Sequence, residues 1–181
     1  MSTPETRTRP NVLITGTPGT GKTTLAQLLE QNLVGFRRID IAKEVESHQF
    51  YTDDYDEQYQ TNVLDEDKLL DYLQEWMDSN EGGIILDYHS SDFFPKRWFD
   101  LIVVLRCENT QVLYDRLAGR GYSKRKLDDN MQCEIFGTVA EETLDAYDEE
   151  RVVQLASETS DQMADNVRVV TQLVHQASKQ R

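Results

Sequence analysis

The sequence predicts an α/β fold in which a parallel five-stranded sheet is covered by helices on both faces. Three observations predict it. The apolar pattern alternates between short β-branched runs and helical spacing along the chain. Two of those runs are apolar without interruption, as strands covered on both faces are. The first run leads through a glycine-rich loop straight into a helix.

The elements follow in order. "NVLIT" (11–15) is a short apolar run closed by a glycine, hence a buried strand. Leu25, Leu28, Leu29 and Leu33 recur at helical spacing, so the glycine loop opens a helix. "FRRIDI" (36–41) is a weaker strand. "FYTDDYDEQYQTNVLDEDK" (50–68) is acidic and tyrosine-rich, too polar for core, and is read as a mobile loop. Leu69, Leu70, Leu73, Trp76 and Met77 form one helical face, which "NEGG" (80–83) ends. "GIILDYH" (83–89) and "DLIVVLR" (100–106) are the two continuous strands. Helical spacing returns at Val112, Leu113 and Leu117, and again at Phe136, Val139, Ala140, Leu144 and Tyr147. "RVVQLA" (151–156) admits either a last strand or a continuing helix, and Val167, Val170 and Val174 mark a closing helix. Such a sheet binds ligands outside the carboxyl ends of its strands, so the loops after residues 15, 40, 87 and 106 should gather there.

A chain of 181 residues suits one domain with its own core. The polar leader, residues 1–10, is read as a frayed tail and residues 11–181 as the domain, with no internal repeat or linker. No apolar run approaches a membrane span, and the leader lacks the apolar centre of a secretory signal. Cys107 and Cys133 make no disulfide framework and no metal-ligand spacing, which points to a reducing compartment and away from structural zinc. The net charge of −14 argues against broad nucleic-acid binding. It is compatible with a basic protein partner, and the plainer reading is simple solubility.

Gly16-Thr17-Pro18-Gly19-Thr20-Gly21-Lys22-Thr23 fits G-x-x-x-x-G-K-[ST] at every fixed position, between strand and helix as the motif requires. Glycines let backbone N–H groups turn inward around a phosphate chain, and the helix adds its positive end. Lys22 neutralises the outer phosphates, the Thr23 hydroxyl is a ligand for Mg²⁺, and Thr24 adds a hydroxyl. The motif predicts binding of a nucleoside triphosphate such as ATP with Mg²⁺. It leaves the phosphate acceptor open.

Asp87 ends the "GIIL" strand, where a carboxylate would hold magnesium through water, although a strand-end cap gives the same pattern. His89, two residues on, would share its face and orient water or a phosphoryl group, or else be a structural histidine. "YDRLAGRGYSKRK" (114–126) concentrates cations in an acidic protein. Arg116 and Arg120 share a helical face if the helix reaches that far, with Gly119 and Gly121 as hinges. Such a segment suits a closing lid that supplies positive charge, or a solvated helix end. Arg97 is open between phosphate contact and surface ion pair, and Phe93, Phe94, Trp98 and Phe99 between core packing and a partner surface.

The glycine loop, the strand-end Asp and the arginine-bearing segment together resemble the nucleoside monophosphate kinases. Within them, "GTPGTGKTT", "LDEDKLLD", "ILDYHSSDFFPKRWFD", "YDRLAGRGY" and "NMQCEIF" resemble the small nuclear adenylate kinases, also described as coilin-interacting nuclear ATPases, from about residue 11 to the end. The resemblance implies a P-loop fold of the monophosphate-kinase type, with a short monophosphate-binding segment at about 39–62 and a short lid at about 119–129. It implies transfer of the γ-phosphate of ATP to AMP, with ATP hydrolysis when no acceptor is bound. It also implies a part in small-ribosomal-subunit maturation and 18S rRNA processing, on the pre-40S particle and through a basic small-subunit ribosomal protein, in nucleus and cytoplasm. A monomer without membrane association or sequence-specific nucleic-acid binding is expected.

Carried over by position, Gly19, Thr20, Gly21, Lys22, Thr23, Thr24, Arg116 and Arg120 would contact ATP. Lys22, Asp87, His89 and Arg120 would be catalytic, Thr23 and Asp87 would serve Mg²⁺, and Asp40 and Lys43 would face AMP. Where typical adenylate kinases follow the strand-end Asp with Gly-Phe-Pro-Arg, this chain has Tyr88-His89-Ser90-Ser91. Where they have an arginine on the first acceptor-side helix, it has Lys43, which cannot make the same bidentate contact. The reading is therefore an adenylate kinase. The alternative is chiefly an ATPase assembly factor that binds and releases a basic ribosomal protein, with the seven carboxylates of residues 53–67 as attractor or as a merely solvated loop. A sugar or shikimate kinase shares the loop and sheet and would differ in its acceptor pocket.

Overall fold

The computed structural model describes residues 7–59 and 61–179. Five strands form the main sheet: β1 (Val12–Thr15), β2 (Arg37–Asp40), β5 (Ile84–Asp87), β6 (Leu101–Arg106) and β7 (Val152–Ala156). Their order is β2-β5-β1-β6-β7 and every pairing is parallel. The helices are α1 (Lys22–Asn32), α2 (Ile41–His48), α3 (Glu66–Met77), α4 (Thr110–Ala118), α5 (Lys124–Phe136), α6 (Thr138–Ala146) and α7 (Ser160–Lys179). The expected α/β sheet is present, and "RVVQLA" is its fifth strand, in register with β6 from Ile102↔Val152 to Arg106↔Ala156.

Strand alternation builds the two layers. Leu13, Leu86, Ile102 and Val104 face one side, against Leu69, Leu73 and Met77 of α3, Ala140 of α6 and the ring group Phe94, Trp98 and Phe99. Val12, Ile14, Val103 and Leu105 face the other, against Leu25 and Leu29 of α1 and Val170 and Val174 of α7. The aromatic group 94–99 is thus core packing. Arg97 donates to the Asp78 carboxylate at 3.0 Å, which is the surface ion-pair reading. No helix among the described residues is long and apolar enough to cross a membrane.

Four local expectations are corrected. Of the tail 1–10, residues 1–6 lie outside the described residues, but residues 7–10 are docked. Thr8 N–H donates to Asn80 O and Arg9 N–H to Glu81 O, Pro10 is buried, and Arg7 Nη2 donates to Arg97 O at 2.6 Å. The segment 50–68 contains β3 (Tyr51–Asp56) and β4 (Thr61–Leu64), an antiparallel hairpin, followed by the start of α3. Its Tyr, Thr and Val residues favour strand despite their polarity. Only its base is packed, through Tyr51 and Leu64, while Tyr55, Tyr59 and Val63 are exposed. Finally, α4 ends at Ala118, so Arg116 and Arg120 do not share a helical face; α5 then starts on a Ser123 cap, whose side chain accepts from Lys126 N–H. Gly137, at φ 69°, separates α5 from α6, so Phe136 ends one helix, exposed, instead of starting the next.

Leu73 is fully buried where α3 meets the sheet. Leu73→Ala is expected to lower stability by about 3 kcal/mol, the cost of lost burial plus the cavity left behind. Urea unfolding of both proteins measures it.

Candidate functional site

The site begins with β1. Its pairing with β5 sets Ile14 opposite Asp87, and Tyr88 N–H donates to Ile14 O. β2 pairs with β5 so that Asp40 lies opposite Asp87. Three strand ends therefore stop at one level, and the glycine loop leaves from β1, beside β5. Gly16 starts that loop at φ 142°, and a Cβ there would lie 2.5 Å from Leu105 O. Only glycine lets the backbone pass so close to β6. Gly21 (φ 94°) is the N-cap of α1 and supplies no side-chain cap, so the first-turn N–H groups are left to a ligand anion.

The loop, the strand ends and the segment after α4 enclose a cavity of about 230 Å³. Gly19, Gly21, Lys22, Thr23, Thr24, Asp40, Asp87, His89 and Arg120, all singled out in the sequence, line it. Three predicted residues are placed differently. Thr20 is buried, and its hydroxyl turns inward to donate to Thr17 O at 2.8 Å. Lys43 is exposed and does not line the cavity; its backbone N–H caps onto Asp40 Oδ1 at 3.2 Å. Arg116 donates to the carbonyls of Gly19, Ser157 and Glu158, which ties the loop to the segment after β7. It lines a second cavity of about 600 Å³ with Leu28, Ser157, Thr159, Ser160 and Met163. Gly19, Gly21, Thr24 and Arg120 line both cavities, so the two adjoin.

The electrostatics follow from burial. Lys22 Nζ donates to Gly16 O at 2.8 Å and Thr17 O at 3.1 Å. Burial pushes its ammonium down to about 8; Asp87 opposes that shift, and Arg120 reinforces it. Asp87 is 4% exposed, and burial raises its carboxyl, partly offset by a hydrogen bond from Thr23 and by the Lys22 charge. Arg38, which sequence reading missed, reaches Asp40 at 3.3 Å and Asp87 at 3.4 Å and so compensates two neighbouring carboxylates. Its signal was the Arg38–Asp40 spacing, which places both on one face of β2. The rest of the second cavity was legible only once "RVVQLA" counted as a strand, because its loop then joins the others at the carboxyl ends.

His89 lies beyond the end of β5, so the loop brings it to the cavity and strand alternation does not. Its imidazole is pushed down to about 4 by the cleft walls and then by the Lys22 and Lys126 charges. It is neutral at physiological pH, with one ring nitrogen to donate and one to accept.

Among the described residues no group of three or more His, Cys, Asp or Glu side chains could hold a metal by itself. A hydroxyl from Thr23 and a carboxylate from Asp87 side by side are a hard-oxygen pair. That set fits Mg²⁺, which takes one or two protein ligands and completes its shell with phosphate and water.

A family model described as an AAA domain matches residues 12–137. The chain is similar to the adenylate kinase isoenzyme 6 homolog of Caenorhabditis elegans, 54% identical over 173 residues, 96% of this chain and 93% of that one. It is similar to the adenylate kinase isoenzyme 6 homolog of Drosophila melanogaster, 45% identical over 159 residues and 88% of each chain. The fold is also similar to that of a solved shikimate kinase from Bacteroides thetaiotaomicron, with a TM-score of 0.58 at 17% identity over 92% of this chain and 98% of that one.

A polyphosphate favours the protonated form of Lys22, whose ammonium loses its proton near pH 8. Affinity for Mg-ATP is therefore expected to fall as pH rises through about 8 and to lose this slope in Lys22→Met. Calorimetric titrations from about pH 7 to about pH 9.5 test the sign.

Proposed function

Because the chain belongs to the adenylate kinase isoenzyme 6 family, we propose that it transfers the γ-phosphoryl group of Mg-ATP to AMP, giving two ADP, and hydrolyses ATP when water takes the acceptor's place. The observation that carries this reading is the convergence of Lys22, Thr23, Asp87, His89 and Arg120 on one cavity that adjoins a second, larger one. In this reading the larger cavity takes the nucleoside of ATP, the glycine loop cradles its phosphates, and the γ-phosphoryl group lies between Lys22 and Arg120. Mg²⁺, bound at Thr23 and Asp87, would neutralise charge on the phosphates. An oxygen of the AMP phosphate attacks the γ-phosphorus, the bond to the bridging oxygen breaks, and ADP departs. Positioning and positive charge supply the rate, since this transfer needs little covalent help.

The acceptor-side walls support a second reading alongside the first. They are Asp40, Ala42 and Tyr88, with Lys22 and Arg120 on the loop and lid sides. Arg38 stands behind Asp40 and Asp87 and is already paired with both. An acceptor phosphate thus meets less cation than the donor phosphates do. Neutral His89 suits orienting a water molecule, which favours hydrolysis as a biological output. We infer an assembly factor of small-ribosomal-subunit maturation and 18S rRNA processing, in nucleus and cytoplasm, that engages a basic small-subunit ribosomal protein on the pre-40S particle. The exposed Asp53, Asp54 and Glu57, and the net charge of −14, support a basic partner.

Product analysis with Mg-ATP, with and without AMP, separates the two outputs. Conversion of AMP to ADP without matching phosphate release is expected; when AMP is left out, phosphate should be released, at a rate below that of the transfer to AMP. Phosphate release that ignores AMP would leave only the ATPase reading, and no turnover of either kind would overturn both. In His89→Ala, hydrolysis without acceptor is expected to fall about 10²-fold, the scale of a misplaced reactant, and transfer to AMP to fall less.

A further inference from the structure

We propose that Glu134, a residue outside the cavity, is the positioning residue of the phosphate-binding loop, setting the place of Lys22 through the Thr17 hydroxyl. This rests on the nucleotide-binding reading above and adds to it a residue that touches no ligand.

Glu134 lies near the carboxyl end of α5 and is 3% exposed. One carboxylate oxygen, Oε1, accepts from Arg106 Nε at 2.9 Å and from Cys107 N–H at 2.8 Å. The Arg106 charge offsets the cost of burying the carboxylate. A purely structural ion pair would need nothing more. The other oxygen, Oε2, accepts from the Thr17 hydroxyl at 2.5 Å, inside the glycine loop.

Thr17 is fully buried and does not line the cavity. Its carbonyl accepts from Lys22 Nζ at 3.1 Å and from Thr20 Oγ1 at 2.8 Å. The residue is therefore held on its outer side by Glu134 and holds Lys22 on its inner side. Released from Glu134, Thr17 can move, and the carbonyl that orients Lys22 moves with it. The Glu134 charge also acts on Lys22 directly, in the direction that keeps its proton.

The same helix connects the loop to the lid side. Arg120 and Tyr122, which line the cavity, sit just before the Ser123 cap of α5. Over about 15 Å of helix from its start at Lys124, α5 joins that segment to the Glu134 anchor. Loop and lid are thereby referenced to one buried carboxylate.

Thr17→Val removes the hydroxyl, keeps the shape and leaves Glu134 its Arg106 and Cys107 partners. Glu134→Gln removes the charge with little change in size. Calorimetric Mg-ATP affinity and the KM for ATP should each weaken about tenfold in both variants, the scale of one charge-assisted hydrogen bond. The change in kcat should be much smaller. The double variant should show less than the sum of the two, and Thr17→Ser should recover most of the loss. Thermal unfolding without nucleotide separates this from damage to the fold: a structural role lowers the melting temperature and leaves the affinity alone. Wild-type affinity in Thr17→Val, while the wild-type chain binds Mg-ATP, overturns the inference and spares the nucleotide reading. Absence of Mg-ATP binding by the wild-type chain overturns that reading, and this inference with it.

Discussion

The parallel register of β5 between β2 and β1 is the constraint on which the rest depends. It aligns Asp87 with Ile14 on one side and with Asp40 on the other, at the level where the glycine loop leaves β1. A slip of one residue would turn Asp87 into a helix-covered layer and bring Leu86 to the cavity. Packing prevents it, because Ile85 and Leu86 face opposite apolar layers of the core, where an unpaired carboxylate would be costly. The hydrophobic effect thus fixes where the charges stand, although none of the charges drives folding.

Placing charges there has an electrostatic cost that the surroundings offset. Asp87 and Asp40 lie on adjacent strands, and Arg38 stands between them. Lys22 is held by two backbone carbonyls and drawn toward its neutral form by burial. A phosphate chain with magnesium would supply counter-charge to Lys22 and Asp87 in a buried setting, where charge interactions are stronger than on a solvated surface. His89, buried by the cleft walls and then acted on by the Lys22 and Lys126 charges, stays neutral and serves as a hydrogen-bonding group instead of a cation.

Two segments are built unlike the sheet. The β3–β4 hairpin packs only at its base, and the Arg120 loop is a turn between two helices with Gly121 at φ 71°. Segments with few buried apolar contacts open at low free energy. α5 differs, because Glu134 and Leu127 are buried along its length.

The sequence by itself determined the sheet, the phosphate loop and the convergence of strand-end residues. Each rests on local information: the period of apolar residues, the glycine spacing, and the rule that parallel strands end together. Lys22, Thr23 and Asp87 were legible for that reason, and Arg120 from the cation-rich stretch that holds it. Only the tertiary structure decided the orientation of Arg116, which faces three carbonyls, and of Lys43, which faces solvent. It alone joined Arg38 to two carboxylates and Thr17 to Glu134, partners 117 positions apart. A side chain's direction depends on where its helix ends and which polar partners burial leaves nearby. Those are properties of the packed chain, to which spacing along the sequence is blind.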